Sequence, residues 1–237
     1  MKQTAIILAG GLGTRLSNIF PDCPKALVPV AGKPFLHWLI LLLKKNSINE
    51  IIISTGYLAE KIEQFLIKNK QYNIKISSVK EPHPMGTAGG ALFAIKSAHV
   101  KSDHIYIFNG DSLLMDDYEK DLNPSLVNIW ARYEEDASRY GSLNISDDGF
   151  LINFNEKVLG PGFINTGIYF FPKQILNRFP ETQLSFEYDI FPELLKQNIR
   201  IQVNKTKGSF IDIGTEMSYK NASSFINENK FFFESEN

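Results

Sequence analysis

The chain has 237 residues, enough to bury one sizeable core or a main body with a small appendage. Its 25 basic and 26 acidic residues leave a net charge of −1, so no global field recruits nucleic acid, and any anion must be held by local placement. A single cysteine, Cys23, rules out an internal disulfide and suits a reducing compartment.

The N-terminus carries no signal-peptide pattern. The longest apolar stretch, Phe35 to Leu43, contains His37 and falls far short of the ~20 residues that span a bilayer. A soluble, cytoplasmic protein without a membrane partner is expected. Ala5-Ile6-Ile7-Leu8 is a short apolar run suited to a buried strand, and it delivers the chain into a glycine cluster. Pro34 stands where a helix begins, with Phe35 to Leu43 as its body and an end near Asn46. Glu50 to Ser54 reads as a second buried strand, and Leu58 to Asn69 as an amphipathic helix with apolar residues at 58, 62, 65 and 66. Ile74 to Val79 is a third strand, Gly86 to Ala98 an Ala-rich helix, and His104 to Phe108 a fourth strand. Strand and helix alternate at roughly a dozen residues, which predicts a mostly parallel sheet with helices on both faces.

Beyond about residue 125 the pattern changes. Leu126 to Arg132, Gly141 to Ile145 and Phe150 to Phe154 are short strands, the last two joined by Asp147-Asp148-Gly149, a hairpin signal. Phe163 to Phe171 is a strand closed by Pro172. Glu187 to Asn198 reads as a helix, Ile201 to Asn204 and Ser209 to Ile213 as strands, and Thr215 caps a final helix to about Asn227. No linker or repeat interrupts the chain.

In such sheets ligands bind outside the carboxyl ends of the strands. Gly10, Gly11 and Gly13 fall at one such end, where close-approaching amides make an anion cradle. Arg15 and Lys25 add the cations a polyphosphate needs, so the stretch reads as a nucleoside-triphosphate site. It is not a Walker loop, since no Lys-Ser/Thr follows the glycines, and the dinucleotide fingerprint fails because its third glycine position is Leu16. Asp111, directly after the fourth strand, suits either a Mg²⁺ ligand or an Asx turn in Asn109-Gly110-Asp111. Asp212 also ends an apolar strand, and two such carboxylates on one rim could hold metal. The segment from Glu81 to Gly90 is a second glycine cluster, extended by Pro82 and Pro84; it leaves room for a flat ligand or for close helix packing. Glu156-Lys157 taken alone is a solvated charge pair, and the four histidines lack ligand spacing. The Phe231-Phe232-Phe233 tail either packs back on the body or meets another subunit; self-packing is expected.

Leu8-Ala-Gly-Gly-Leu-Gly-Thr-Arg-Leu16 followed by Pro24-Lys25-Ala-Leu-Val-Pro-Val30 resembles the signature of the sugar-1-phosphate nucleotidyltransferases, and the likeness extends from Ala5 to about Phe225. It implies a Rossmann-like three-layer α/β sandwich with a mostly parallel, mixed central sheet (a GT-A-like nucleotidyltransferase fold). It also implies one domain over 1–237, with a nucleotide half to about 125 and a sugar half from about 126 to 230. Carried over, the resemblance places Leu8, Ala9, Gly10, Gly11, Gly13, Thr14, Arg15, Lys25, Glu81, Gly86, Thr87, Asn109 and Gly110 on the nucleotide. It places Glu156, Lys157, Asn165 and Thr166 on the sugar phosphate, and Mg²⁺ on Asp111 and Asp212, with Arg15, Lys25 and Asp111 catalytic. The strings Arg139-Tyr140-Gly141, Glu156-Lys157-Val158, Asn165 to Tyr169 and Ser185 to Asp189 look most like the D-glycero-α-D-manno-heptose 1-phosphate guanylyltransferases, which favours GTP. The partners implied are an NTP and a sugar 1-phosphate, with a monomer and a homo-oligomer both left open. Related readings are a mannose-1-phosphate guanylyltransferase or a uridylyl or thymidylyl enzyme. A catalytically silent regulatory protein would be expected to have lost a carboxylate or the Lys-Pro loop. A glycosyltransferase wants a spaced Asp-x-Asp, whereas Asp116 and Asp117 are adjacent.

Overall fold

The computed structural model describes residues 3–11, 13, 15, 16, 18–69, 72–120, 122–156 and 159–233, the side chain of residue 156 excepted. Its centre is β1 (Thr4–Ala9), flanked in parallel by β4 (Glu50–Thr55) and β6 (His104–Asn109), with β5 (Lys75–Lys80) parallel beyond β4. β11 (Gly162–Pro172) runs antiparallel to β6 and makes the sheet mixed. β9 (Gly141–Ile145) pairs with β11, and β10 (Leu151–Glu156) pairs with β9 across the expected hairpin. β8 (Val127–Glu134) also pairs with β11, and β12 (Ile201–Thr206) lies parallel on β8. The nine-stranded order is β10-β9-β11-β6-β1-β4-β5, with β8 and β12 off that path.

The layering follows from the period of two in a strand. Ala5, Ile7, Ile51, Ile53, Tyr106 and Phe108 face one way and pack on Leu36, Leu39 and Ile40 of α1 (Phe35–Lys45) and on Ala222 and Ile226 of α6 (Glu216–Glu228). Ile6, Ile52, Ile105 and Ile107 face the other way, onto Ala88, Ala91 and Leu92 of α3 (Gly86–Ser97) and onto Phe186 and Phe191. Burying each large aliphatic contributes about 1.5–3 kcal/mol, so an unbroken apolar strand is worth most when both faces are covered.

The helix ends also follow local chemistry. Pro34 precedes α1, and Leu58 in the left-handed region precedes α2 (Ala59–Lys68). Thr215 and Ser218 exchange side-chain-to-backbone bonds in a capping box at α6.

One expected element differs. The single helix predicted over 187–198 is a π-turn, Phe186–Ile190, followed by α5 (Phe191–Lys196). Pro192 has no N–H to give the Tyr188 carbonyl, so the α ladder cannot continue across that point. Ser185 Oγ instead accepts from the amides of Glu187 and Tyr188, and the Phe191 amide reaches back to the Phe186 carbonyl.

Four short pieces carry too few residues for a periodic signal. They are the ribbon of β2 (Pro29–Val30) with β3 (Lys33–Pro34), the strand β7 (Ser112–Leu114) and the one-turn α4 (Lys173–Leu176). β7 pairs with β13 (Phe210–Asp212).

Of the aromatic tail, Phe233 packs back on α1 as expected, while the Phe231 ring stays exposed. Phe233 meets Trp38 edge-on at 5.1 Å, and Lys45 Nζ donates to the Phe231 carbonyl at 3.1 Å. Among the described residues, no helix is long and apolar enough to cross a membrane.

Candidate active site

The carboxyl ends of β1, β4 and β6 crowd together. A Cβ on Gly56 would stand 2.6 Å from the Gly10 carbonyl oxygen, and one on Gly110 would stand 2.6 Å from that of Leu8. The two glycine clusters are braced by Glu81, whose carboxylate accepts from Ser54 Oγ at 2.9 Å and from the Met85 amide at 3.1 Å. Glu81, expected on the nucleotide, braces these loops through both oxygens and lines the cavity they enclose. Gly86 has φ +73°, and its missing Cβ would lie 2.4 Å from the Leu184 carbonyl oxygen.

The loops enclose a cavity of about 640 Å³ lined by Leu8, Ala9, Gly10, Gly11, Gly13, Lys25, Glu81, Gly86, Thr87, Asn109, Gly110 and Asp111, with Gln183. Of the residues expected on the nucleotide, Thr14 lies outside the described residues and Arg15 lies elsewhere. The Leu16 amide donates to the Gly13 carbonyl at 3.0 Å, and this tight turn buries Leu16 while Arg15 projects into the neighbouring cavity.

A Cβ at Gly10 would stand 2.4 Å from Glu81 Oε1. Gly10→Ala must therefore unseat that carboxylate. It is expected to cost about 1–3 kcal/mol, as overpacking does, and to weaken nucleotide binding about tenfold. Thermal unfolding with and without GTP checks both effects.

The neighbouring cavity, about 1030 Å³, is lined by Arg15, Ser112, Arg139, Tyr140, Gly141, Asn155, Asn165, Thr166, Glu187, Asp212 and Thr215, among others. It shares Asn109 and Asp111 with the glycine-loop cavity, so these two residues stand where the spaces meet. The β7–β13 pairing sets Asp212 opposite Ser112, and the Ile213 amide donates to the Asp111 carbonyl at 2.9 Å. Both carboxylates therefore reach one rim.

Asp111 pairs with Lys25 through Oδ2 and accepts from Ser112 Oγ at 3.1 Å through Oδ1. Asp212 Oδ1 accepts the Gly214 amide at 2.7 Å. Its Oδ2 accepts Tyr140 Oη at 2.6 Å and Arg139 Nη2 at 3.3 Å. Burial first, and then the Asp212 carboxylate, push the Tyr140 phenol well above its ordinary value, so it stays a proton donor. Lys25 Nζ and Asp212 Oδ1 both lie within 4 Å of the point a Gly214 Cβ would occupy, so the Lys25–Asp111 pair comes near the Asp212 end of the rim.

Among the described residues, no group of three His, Cys, Asp or Glu gathers to hold a metal. Asp111 and Asp212 are hard oxygen donors on the wall of one cavity, a set that fits a divalent cation completing its shell with substrate phosphate oxygens.

β11 shifts register against β8 between Asn165 and Tyr169, with Gly167 at φ +75°; bulges of this kind re-aim side chains beside functional sites. Asn165 and Thr166 reach the larger cavity there. Asn165 Nδ2 donates to Tyr169 Oη at 2.7 Å, and Thr166 Oγ1 donates to the Trp130 carbonyl at 2.8 Å. Lys157 and the Glu156 side chain lie outside the described residues.

The residue-level reading missed Arg139, Tyr140, Ser112 and Glu187. Glu187 Oε1 accepts Tyr169 Oη at 2.7 Å. Its Oε2 accepts Thr87 Oγ1 at 3.1 Å and Ser185 Oγ at 2.7 Å, so the residue joins the walls of both cavities. For Arg139, Tyr140 and Glu187 the signal was only the family likeness of the strings Arg139 to Gly141 and Ser185 to Asp189; Ser112 lies in neither, and spacing flags none of the four. Glu187→Ala would leave the buried Tyr169 hydroxyl without this acceptor. That is expected to cost about 1–3 kcal/mol, read as a fall in Tm of about 2–4 °C per kcal/mol.

A mixed, mostly parallel sheet between helical layers, with glycine loops and two carboxylates at its carboxyl rim, defines an α/β nucleotide-binding class. The family described as Nucleotidyl transferase matches residues 4–229, and the chain belongs to it. It is 36% identical over 217 residues to the D-glycero-alpha-D-manno-heptose 1-phosphate guanylyltransferase of Campylobacter jejuni, covering 91% of this chain and 96% of that one. With the protein of the same name from Aneurinibacillus thermoaerophilus it shares 34% identity over 227 residues, covering 92% and 96%. The crystal structure of HddC from Yersinia pseudotuberculosis complexed with GMP-PN superposes with a TM-score of 0.84 at 34% identity, covering 94% of this chain and 99% of that one.

Proposed function

We propose that this chain transfers GMP from GTP to D-glycero-α-D-manno-heptose 1-phosphate, forming GDP-heptose and pyrophosphate for surface polysaccharide synthesis. The observation that carries the reading is the pair of cavities meeting at Asn109 and Asp111, with Lys25 paired to Asp111 and Asp212 on the wall of the larger one. The names of the Campylobacter and Aneurinibacillus relatives and the GMP-PN in the HddC complex favour guanine and the heptose. On this reading the chain acts as one domain in the cytoplasm, with the nucleotide held by residues up to about 125 and the sugar by those beyond.

The nucleophile is a phosphate oxygen of the sugar 1-phosphate, already ionised at neutral pH, so no general base is required. It attacks the α-phosphorus in line, the new P–O bond forms as the bond to the β-phosphoryl oxygen breaks, and pyrophosphate leaves. The difficulty is bringing two polyanions together, so catalysis is positioning and charge neutralisation. The glycine-loop amides and Lys25 hold the triphosphate, Arg15 faces the incoming sugar phosphate, and Asn165 and Thr166 orient the sugar. Asp111 and Asp212 would hold Mg²⁺, which when bound supplies positive charge to the phosphate oxygens.

The test is pyrophosphate release with Mg²⁺, over four NTPs crossed with heptose, mannose, glucose and N-acetyl amino-sugar 1-phosphates. Turnover confined to GTP and the manno-configured heptose is expected. Preference for UTP or dTTP would overturn the guanylyl assignment, and mannose 1-phosphate as the best acceptor would overturn the heptose. Tight GTP binding without turnover on any acceptor would replace the enzyme with a silent regulator.

A further inference from the structure

Arg139 has no assigned role in the reaction proposed above, yet it occupies a pivotal place. Of the described residues lining the larger cavity, only Arg15 and Arg139 are lysine or arginine, and the sugar phosphate entering there is an anion. Arg139 is held loosely. Its Nη2 stands 3.3 Å from Asp212 Oδ2 and 3.4 Å from Thr215 Oγ1, long beside the 2.7–2.9 Å of a strong charge-assisted bond. Its guanidinium lies 5.3 Å from the Tyr140 ring, and the side chain keeps 40% of its exposure.

Asp212 does not depend on it for position. The Gly214 amide at 2.7 Å and Tyr140 Oη at 2.6 Å fix the carboxylate from two sides. A divalent cation coordinated by Asp212 would compete with Arg139 for the charge of Oδ2, while leaving the short Tyr140 and Gly214 bonds to hold the group.

We infer that Arg139 is a binding residue for the phosphate of the sugar 1-phosphate, exchanged from Asp212 onto the substrate when the metal-bound reaction complex assembles. The inference rests on the nucleotidyl-transfer reading of the site. It makes Arg139 and the metal competitors for one carboxylate, a relation in which loss of the arginine harms the acceptor substrate without harming the metal.

The experiment compares wild type with Arg139→Gln and Arg139→Lys, using GTP and D-glycero-α-D-manno-heptose 1-phosphate, with Mn²⁺ binding followed separately by electron paramagnetic resonance. Arg139→Gln is expected to raise KM for the heptose phosphate about tenfold to a hundredfold, the scale of one charged hydrogen-bonding partner. KM for GTP should stay within about twofold, and Mn²⁺ should bind as tightly as in wild type or tighter. Arg139→Lys, keeping the charge but not the fork, should recover part of the loss. An unchanged KM for the heptose phosphate, or Mn²⁺ binding weakened in step with the loss of activity, would overturn the inference and leave Arg139 a support for Asp212. Wild type sets the other limit: no pyrophosphate release by it would overturn the reading of the site, and the arginine's role with it.

Discussion

Lys25→Ala is expected to lower turnover by about 10²–10³-fold, the scale of losing one preorganised electrostatic contact at a site of developing charge. Lys25 enters on the short turn after Pro24, packs its Cβ where a side chain on Gly13 would be 3.2 Å away, and ends on Asp111. It therefore stands against both the glycine loop and the carboxylate at the meeting point of the cavities. The effect should separate cleanly from any loss of fold. The Lys25–Asp111 pair keeps 20% and 33% of its side-chain exposure, and partly exposed ion pairs contribute about 0–1 kcal/mol to stability. A thousandfold rate loss corresponds to about 4 kcal/mol. Single-turnover pyrophosphate release, beside a thermal melt of the same variant, distinguishes the two. Turnover within about threefold of wild type would remove Lys25 from the reaction.

Asp111→Asn should be as damaging, for a different reason. Asparagine keeps nearly the same shape and can still accept from Ser112, so the strand end should hold. It removes one of the two carboxylates proposed to hold the metal, and it turns a charged partner of Lys25 into a neutral one. Turnover is expected to fall by about 10² or more at any Mg²⁺ concentration, and Mn²⁺ affinity by about tenfold or more, since hard cations follow carboxylate charge. Calorimetric titration of Mn²⁺ in the presence of GTP reads the second effect directly. Normal affinity with normal turnover would leave Asp111 as the Asx-turn residue that Asn109-Gly110-Asp111 also suits.

Much of this molecule was legible in the residues alone because its signals are local. Apolar runs such as Ile51 to Ile53 state a doubly covered strand, Pro34 and Thr215 mark helix starts, and Asp147-Asp148-Gly149 turns a hairpin. The glycine clusters sit at strand ends, and there the described residues expected on a nucleotide, Arg15 excepted, line one cavity. The two carboxylates were found by the same logic, each at the end of an apolar strand.

What the tertiary structure decided lies in pairings between distant segments, which no window of sequence registers. β7 and β13, three residues each, set Asp212 opposite Ser112 across a sequence separation of 100. Thr87 and Glu187 meet across the same separation, and Asp212 meets Tyr140 across 72. Arg15 went to the other cavity because a tight turn at Gly13 buries Leu16 and throws the arginine outward. A strand or a turn is dictated by the few residues it contains. A charge pair or a hydrogen bond between distant residues is dictated by where the sheet delivers them, and only packing the two apolar faces sets that.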